Sequence, residues 1–309
     1  AELVTSDGLP HRLGQILHDL PSQRETAYLL IMRRSTPVHR PRHPMTPQTL
    51  LQHLDEGTLW AEPPSHQPGF DSAHAYQQAL AVRALREQRG EQPRGFKIGF
   101  TNRTIWPLYD VYAPIWGTVW DSTLSWCDGH GSLSLEHTCQ PRLEPEVVFG
   151  MARTPPPGAD VQALFESIDW MAPGFEVVQS HLPDWKFQAS DTIADSGLHA
   201  RLLVGRRVPV RSVAVDAMAL DDLLSNLHMR LRQGSTERAH GTGSHVLDSP
   251  LRALHYFMQE LRDCPGAVDL QAGDVITTGT WTDAFPIASG QDWTADFPPP
   301  LSPLHLTLR

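Results

Sequence analysis

Cysteine is scarce in this 309-residue chain, which holds only Cys127, Cys139 and Cys264. Their number is odd and none forms a C-x-x-C pair, so neither a disulfide framework nor a zinc knuckle is expected. Long apolar runs are also missing. No uninterrupted stretch approaches the roughly 18 to 20 residues of a membrane span, and no charged-apolar-small pattern of a secretory signal opens the sequence. Positive charge is in deficit: the formal charge is −10, which argues against indiscriminate binding to nucleic acid or to an anionic membrane. Sixteen histidines offset that charge only below about pH 6.5. Gly241-Thr242-Gly243-Ser244 lacks the lysine and full spacing of a phosphate-binding loop. What remains is an ordinary globular composition, 40% hydrophobic and 19% charged, in a chain long enough to bury a sizeable core. A cytoplasmic location is the expectation.

Residues 1–44 read as an extension. A possible helix around His11–Met32 gives way to Arg33–Pro44, whose four arginines and three prolines suit a solvated linker. The acidic remainder speaks against a basic nucleic-acid arm. Met45-Thr46-Pro47 looks like a fresh start, with Thr46 as N-cap and Pro47 at the first helical position. Asp71–Gln88 and Pro250–Leu261 are the clearest helices, and Asp160 is placed to cap a third running through Ile168. Leu133–Leu135, Pro141–Met151, Phe175–Val178, Val204–Val215 and Leu227–Gln233 have strand character. The small polar residues of Asp191–Gly197 suggest a loop around a site.

Three acids interrupt apolar strands. Arg142-Leu143-Glu144-Pro145-Glu146-Val147 puts Glu144 and Glu146 on one strand face, with Leu143, Val147 and Phe149 on the other. Glu176 lies in Phe175-Glu176-Val177-Val178. A strand with a wetted face explains each acid taken singly. Three carboxylates held together would instead repel unless a divalent cation joined them, and an all-oxygen ligand set suits Mg²⁺ or Mn²⁺ better than zinc. Lys97, fenced by glycines in Gly95-Phe96-Lys97-Ile98-Gly99, is either an exposed strand lysine or one that meets an anionic substrate. The aromatic stretch Tyr109–Trp120 is either core or a pocket wall carrying Trp106, Tyr112 and Trp116.

In chain order, Gly95–Thr101, Pro141–Glu146, Phe175–Val178, Asp184–Asp195 and Ala272–Ile276 through Thr280 resemble motifs of the fumarylacetoacetate hydrolase superfamily. The similarity points to its branch of 2-keto-4-pentenoate hydratases and 4-oxalocrotonate decarboxylases, and covers about Met45 to the last residue. The resemblance implies an α+β fold, with a mixed β-rich core over residues 96–309 and a helical region over residues 45–95. It implies Glu144, Glu146 and Glu176 as ligands of Mg²⁺ or Mn²⁺. Lys97, Lys186 and Asp195 are implied in catalysis, and Asp191, Ser196, Thr280 and Trp116 in substrate binding. Lys97 would position a carboxylate or, with its pKa lowered by burial, move a proton.

The implied activity is that of a lyase of aromatic-compound catabolism acting on a small 2-hydroxydienoic or 2-oxo acid. A 2-keto-4-pentenoate (2-hydroxypenta-2,4-dienoate) hydratase is the first expectation and a 4-oxalocrotonate-type decarboxylase the second. C–C hydrolysis of an acylpyruvate would need a general base that Met45–Ile98 does not offer, and a non-catalytic binding module would not need three gathered acids. Family members commonly oligomerise, so a homo-oligomer is expected; no nucleic-acid or membrane partner is. Two departures bear on substrate choice. Tyr112-Ala113-Pro114-Ile115-Trp116-Gly117 stands where acidic residues are usual, and Ala194-Asp195-Ser196-Gly197-Leu198 where Ala-Asp-Asn-Ala-Ser is common.

Overall fold

The computed structural model describes residues 45–309; the helix expected near His11–Met32 and the Arg33–Pro44 linker lie outside them. Helix α1 (Pro47–Glu56) starts at its expected cap, where Thr46 Oγ1 accepts from Thr49 N at 3.2 Å. Helix α2 (Ser72–Gln88) is capped by Asp71, which accepts from His74 N at 2.9 Å. Strand β1 (Pro93–Gly99), the single turn α3 (Trp106–Tyr109), β2 (Ile115–Trp120), β3 (Leu124–Trp126) and β4 (His130–Leu133) follow. Next come β5 (Arg142–Met151), α4 (Val161–Phe165), β6 (Ile168–Val178), α5 (Ala189–Ala194), β7 (His199–Val204), β8 (Val208–Pro209) and α6 (Ala217–Ser225). The chain then runs through β9 (His228–Gln233), β10 (Thr236–Thr242), α7 (Pro250–Asp263), β11 (Val275–Thr277), β12 (Phe285–Pro286), β13 (Asp292–Asp296) and β14 (Leu304–Leu308).

Two mixed sheets carry this α+β architecture. The larger has the order β2-β1-β11-β5-β6-β7-β3, with β12 added to β5 and β8 to β6; the smaller runs β10-β9-β13-β14-β4. The long antiparallel pair β5–β6 lies in the middle of the larger sheet and sets Glu144 opposite Glu176. Alternation along β5 sends Leu143, Val147 and Phe149 into the main core with Phe175, Val177 and Phe257. Val148 points the other way, joining Val119, Ala172, Leu202, Val204 and Val275 in a smaller apolar cluster. The acids share that second face, so the sheet separates an oily layer from a charged one.

Four expectations change in detail, the first being that the strand expected at Leu133–Leu135 lies earlier and ends at Leu133 as β4. The Asp160-capped helix stops at Phe165, because Ile168 already opens β6. The expected Val204–Val215 strand divides: β7 ends at Val204, Gly205 N bonds to Pro173 O, and Pro209 leads into a turn at Val210–Ser212. Asp191–Gly197 is a buried helix end rather than an open loop, since Asp191 accepts from Gln188 N at 2.9 Å and closes the first turn of α5.

The helices α1 and α2 are tied to the sheet margin through Glu91. It accepts from Arg86 Nε at 3.1 Å and Ser122 Oγ at 2.7 Å, and pairs with Arg89, which also grips Asp55 of α1. Arg86 additionally stacks over Trp120 at 4.5 Å. Partial burial works against the Glu91 charge, but Arg86, Arg89 and Ser122 outweigh it and hold the carboxyl down at about 2. A depressed carboxyl pKa stabilises the fold above the unfolded value of 4.5 and is lost as pH falls through the folded value. Glu91→Gln is therefore expected to cost about 1 to 2 kcal/mol at neutral pH in urea melts. The gap to wild type should fade toward about pH 2; an undiminished gap there would contradict this account.

Candidate active site

Register brings the acids together. Glu144 and Glu146 are two apart on β5, Glu176 is the cross-strand partner of Glu144, and one carboxylate oxygen from each lies within 4.8 Å of the others. Glu146 and Glu176 are completely buried, which rules out the wetted-strand reading; Glu144 is half-buried at a cavity wall. Lys97 arrives from β1, whose partner β11 lies beside β5. It is also buried, with Nζ 3.3 Å from Glu176 Oε2 and donating to Gly197 O at 2.8 Å. That carbonyl reaches the lysine because the Ser196–Gly197 backbone lies flat on Gly117. A side chain on Gly117 would sit 2.0 Å from Ser196 O.

Protein donors satisfy the buried acids only in part. Glu146 Oε2 accepts from Gly279 N at 2.7 Å and from the Thr277 hydroxyl. Gly279 makes that bond at φ +107, a conformation that favours glycine. Glu176 Oε1 accepts from His199 Nδ1 at 2.8 Å. The second oxygens, Glu146 Oε1 and Glu176 Oε2, have no hydrogen-bond partner among the described residues. One ammonium against three carboxylates leaves two negative charges. At an effective dielectric near 20, each like-charged pair at that range repels by about 3 to 4 kcal/mol.

The electrostatics record the excess. Burial pushes Glu144 up to about 7, with Glu176 adding to the rise and Lys97 opposing it. Glu146 is also raised, by burial and then by its two carboxylate neighbours. Burial disfavours the Lys97 charge, yet Glu176, Glu144 and Glu146 prevail and hold its pKa above the ordinary value. Beside the three acids the Lys97 pKa is thus raised rather than lowered, and an ammonium at this position is suited to anchoring an anion. A buried Glu146 oxygen with no partner, a Glu176 oxygen met only by Lys97, and an oxygen-only donor set in which carboxylates outnumber ammonium three to one fit a divalent cation. Glu144, Glu146 and Glu176 would hold it.

A cavity of about 460 Å³ opens beside these groups, lined among others by Lys97, Glu144, Arg142, Tyr109, Trp185 and Thr280. Its aromatic wall differs from the expected one. Tyr109 stacks between Phe100 and Phe187, at 5.0 and 5.5 Å, and Trp185 leans on Phe187. Trp116 is core instead: it is 3% exposed, stacked on Tyr76 at 4.6 Å and edge-on to Phe96. Tyr112 is exposed, and Trp106 donates to Phe100 O at 2.7 Å.

Among the other expected site residues, Thr280 lines the cavity. Asp191 does not: it is buried and accepts from Ser65 N and Oγ, both at 2.8 Å, anchoring the segment between α1 and α2. Asp195 is likewise occupied, accepting from His181 N at 3.0 Å and pairing with His181 Nδ1 at 2.6 Å. Ser196 contributes its backbone against Gly117, while its neighbours Gly197 and Leu198 line the cavity. Lys186 is an exposed side chain whose Nζ lies 3.5 Å from Asp184, on a turn that sends Trp185 and Phe187 inward instead. His199, Thr123 and Thr277 escaped the sequence reading. Arg142 was read only as part of its strand motif. It stacks over Trp185 at 4.1 Å, lines the cavity and has no carboxylate partner among the described residues.

Comparison with known proteins agrees with this construction. The family described as fumarylacetoacetate (FAA) hydrolase C-terminal matches residues 124–297, over half of the chain. A 2-hydroxyhexa-2,4-dienoate hydratase from Comamonas testosteroni is 29% identical over 247 residues, 79% of this chain and 89% of that protein. A 4-oxalocrotonate decarboxylase from Pseudomonas sp is 28% identical over 245 residues, covering 78% and 90%. The fold matches 4-oxalocrotonate decarboxylase from Pseudomonas putida G7, solved with magnesium and adipate, with TM-score 0.74 and 23% identity over 85% of this chain and 97% of that one. Carrying that family's sequence pattern through the strands that hold Glu144, Glu146 and Glu176, this chain belongs to the fumarylacetoacetate hydrolase family.

Proposed function

We propose that this chain is a lyase dependent on Mg²⁺ or Mn²⁺ that acts on a small 2-hydroxydienoic or 2-oxo acid, hydration of a 2-hydroxypenta-2,4-dienoate being the first reading. The observation that carries it is the cluster of Glu144, Glu146 and Glu176 carboxylates, with Glu146 Oε1 unpartnered and Glu176 Oε2 met only by Lys97, beside a cavity of small-molecule size. The names of the similar hydratase and decarboxylases support the reaction class. When bound, the ion supplies Lewis acidity to the 2-oxo group, where negative charge develops.

The chain's own residues do the rest. Lys97 gives one N–H to Gly197 O, and its fixed charge attracts the substrate carboxylate. Phe100, Tyr109, Phe187 and Trp185 offer a flat apolar wall to a conjugated chain and keep bulk water off it. Thr280 lines the cavity with a hydroxyl that donates to Thr282 O at 3.0 Å and accepts from Thr282 N at 3.3 Å, leaving one lone pair. Arg142 favours the second reading, decarboxylation of a dicarboxylic 2-oxo acid, because a partly buried guanidinium without an acid partner suits a distal carboxylate.

Calorimetric titration with Mn²⁺ tests the metal. Glu146→Gln is expected to weaken binding at least about 10-fold. Unchanged affinity would sink the proposal. The reaction is tested by mass spectrometry of the metal-loaded protein with 2-hydroxypenta-2,4-dienoate, 4-oxalocrotonate and an acylpyruvate. Gain of water on the first substrate is expected. Loss of CO₂ from the second, with KM raised about 10-fold or more in Arg142→Gln, would establish the decarboxylase reading instead. Turnover of none of the three would reject both.

A further inference from the structure

His199 opens β7, just past the register shift where Val178 of β6 pairs with it. It is 4% exposed and both ring nitrogens are engaged. Nδ1 lies 2.8 Å from Glu176 Oε1, and Nε2 lies 2.8 Å from Thr123 Oγ1. Thr123 is itself fixed in the turn between β2 and β3. Its Oγ1 accepts from Trp120 N at 3.1 Å, and its carbonyl accepts from Leu202 N at 2.8 Å. A continuous buried chain of hydrogen bonds therefore runs from the Trp120 backbone through Thr123 and His199 to one carboxylate oxygen.

Proton accounting assigns the ring. An ionised carboxylate only accepts, so Nδ1 carries the proton that reaches Glu176. Nε2 is then free to accept from the Thr123 hydroxyl, whose one proton faces Nε2 at 2.8 Å and Trp120 O at the longer 3.2 Å, so that both ring nitrogens are used. Lys97 pulls on the other oxygen, Oε2, from 3.3 Å. Without an anchor on Oε1, the carboxylate could swing to give both oxygens to that ammonium.

Glu146 is built on the same plan from unrelated parts. Its Oε2 is held by Gly279 N and Thr277, and its Oε1 is left unpartnered. Glu144 has no such anchor and stands at the cavity wall. Two ligands are thus locked through one oxygen each, and the third is left adjustable.

We propose that His199 is a positioning residue for the metal ligand Glu176, its Nδ1–H pinning Oε1 so that Oε2 alone is presented to a divalent ion, with Thr123 holding the imidazole in that orientation. The proposal rests on the metal-dependent reading above and extends it to residues that touch neither ion nor substrate. Hydrogen-bonding partners of metal ligands ordinarily govern affinity through orientation.

The test is Mn²⁺ affinity of the full chain by titration calorimetry, with far-UV circular dichroism and thermal melts on every variant. His199→Ala is expected to weaken Mn²⁺ binding about 10- to 100-fold. His199→Asn, whose amide N–H sits near the position of Nδ1, should recover to within about threefold of wild type. A side role in core packing predicts otherwise: a lower melting temperature with unchanged Mn²⁺ affinity in His199→Ala, which would overturn the proposal. Should His199→Ala fail to fold, Thr123→Val decides. A folded Thr123→Val protein with weakened affinity supports the proposal, and one with wild-type affinity overturns it. Absence of Mn²⁺ binding by wild type would overturn the metal reading itself, a result distinct from wild-type binding that the variants leave unchanged.

Discussion

The structure is organised around a charge imbalance: three carboxylates gathered on one face of a sheet, against one lysine. Burial makes the imbalance expensive, since the low dielectric that strengthens each attraction to Lys97 also strengthens each repulsion among Glu144, Glu146 and Glu176. The protein does not remove the conflict with further cations. It supplies hydrogen-bond donors to one oxygen of Glu146 and one of Glu176, and leaves the opposite oxygens to no partner and to Lys97 alone, respectively. That arrangement costs stability in the metal-free fold, a cost that proton uptake by the raised acids lessens and that a doubly charged ion would offset. Stability has been conceded where a binding site gains from it.

Everything near the cluster serves to hold that arrangement in register. The β5–β6 pair fixes Glu144 against Glu176, and a one-residue slip of β5 would turn Glu144 and Glu146 into the oily layer occupied by Phe175 and away from Glu176. Strand β11 inserts between β1 and β5, so Thr277 and Gly279 reach Glu146 from the same sheet that delivers Lys97. Close backbone approaches then complete the enclosure. Ser196 rests on Gly117, and Gly279 packs so tightly on Thr101 that an added side-chain carbon would lie 2.0 Å from its hydroxyl. The site is therefore a property of the sheet, and the flanking helices bear on it through anchors such as Asp191 to Ser65.

How much of this was legible follows from the range of the signals. Alternation is local, so the shared face of Glu144 and Glu146 could be read from five residues, and capping is local, so Thr46, Asp71 and Asp160 marked helix starts correctly. The joining of Glu176 and Lys97 to that pair is long-range, and resemblance to a family supplied it. Asp191, Asp195 and Ser196 lie in a stretch whose small polar residues look like a site loop. Their side chains or backbone are spent on Ser65, His181 and Gly117, partners that no local pattern announces. Trp116 and Trp185 show the same limit in reverse. Both are aromatic residues near motif positions, yet strand pairing buries Trp116 against Tyr76, while a tight turn presents Trp185 to the cavity. His199 carried no signal, because a histidine at a strand start has its meaning only through Glu176 and Thr123.

The division between inner and outer parts of the cavity explains why chemistry and substrate choice separate in this protein. On the proposed reading, Lys97 and the three glutamates toward the sheet would impose the same demand on any substrate: an anionic, oxygen-bearing head that can share a divalent ion. Farther out, the contacts change character. Tyr109, Phe100, Phe187 and Trp185 discriminate by shape and flatness, and Arg142 discriminates by charge. A monoacid dienoate and its dicarboxylic counterpart would present identical heads to the inner part, and differ only where Arg142 stands. Apolar walls separate such ligands weakly, by a few kcal/mol at most, whereas a partly buried guanidinium favours the ligand that brings it a second carboxylate. Selection between hydration and decarboxylation would then be made by one arginine two residues from Glu144 on the same face of β5, so that a single strand holds both the ion and the choice of what meets it.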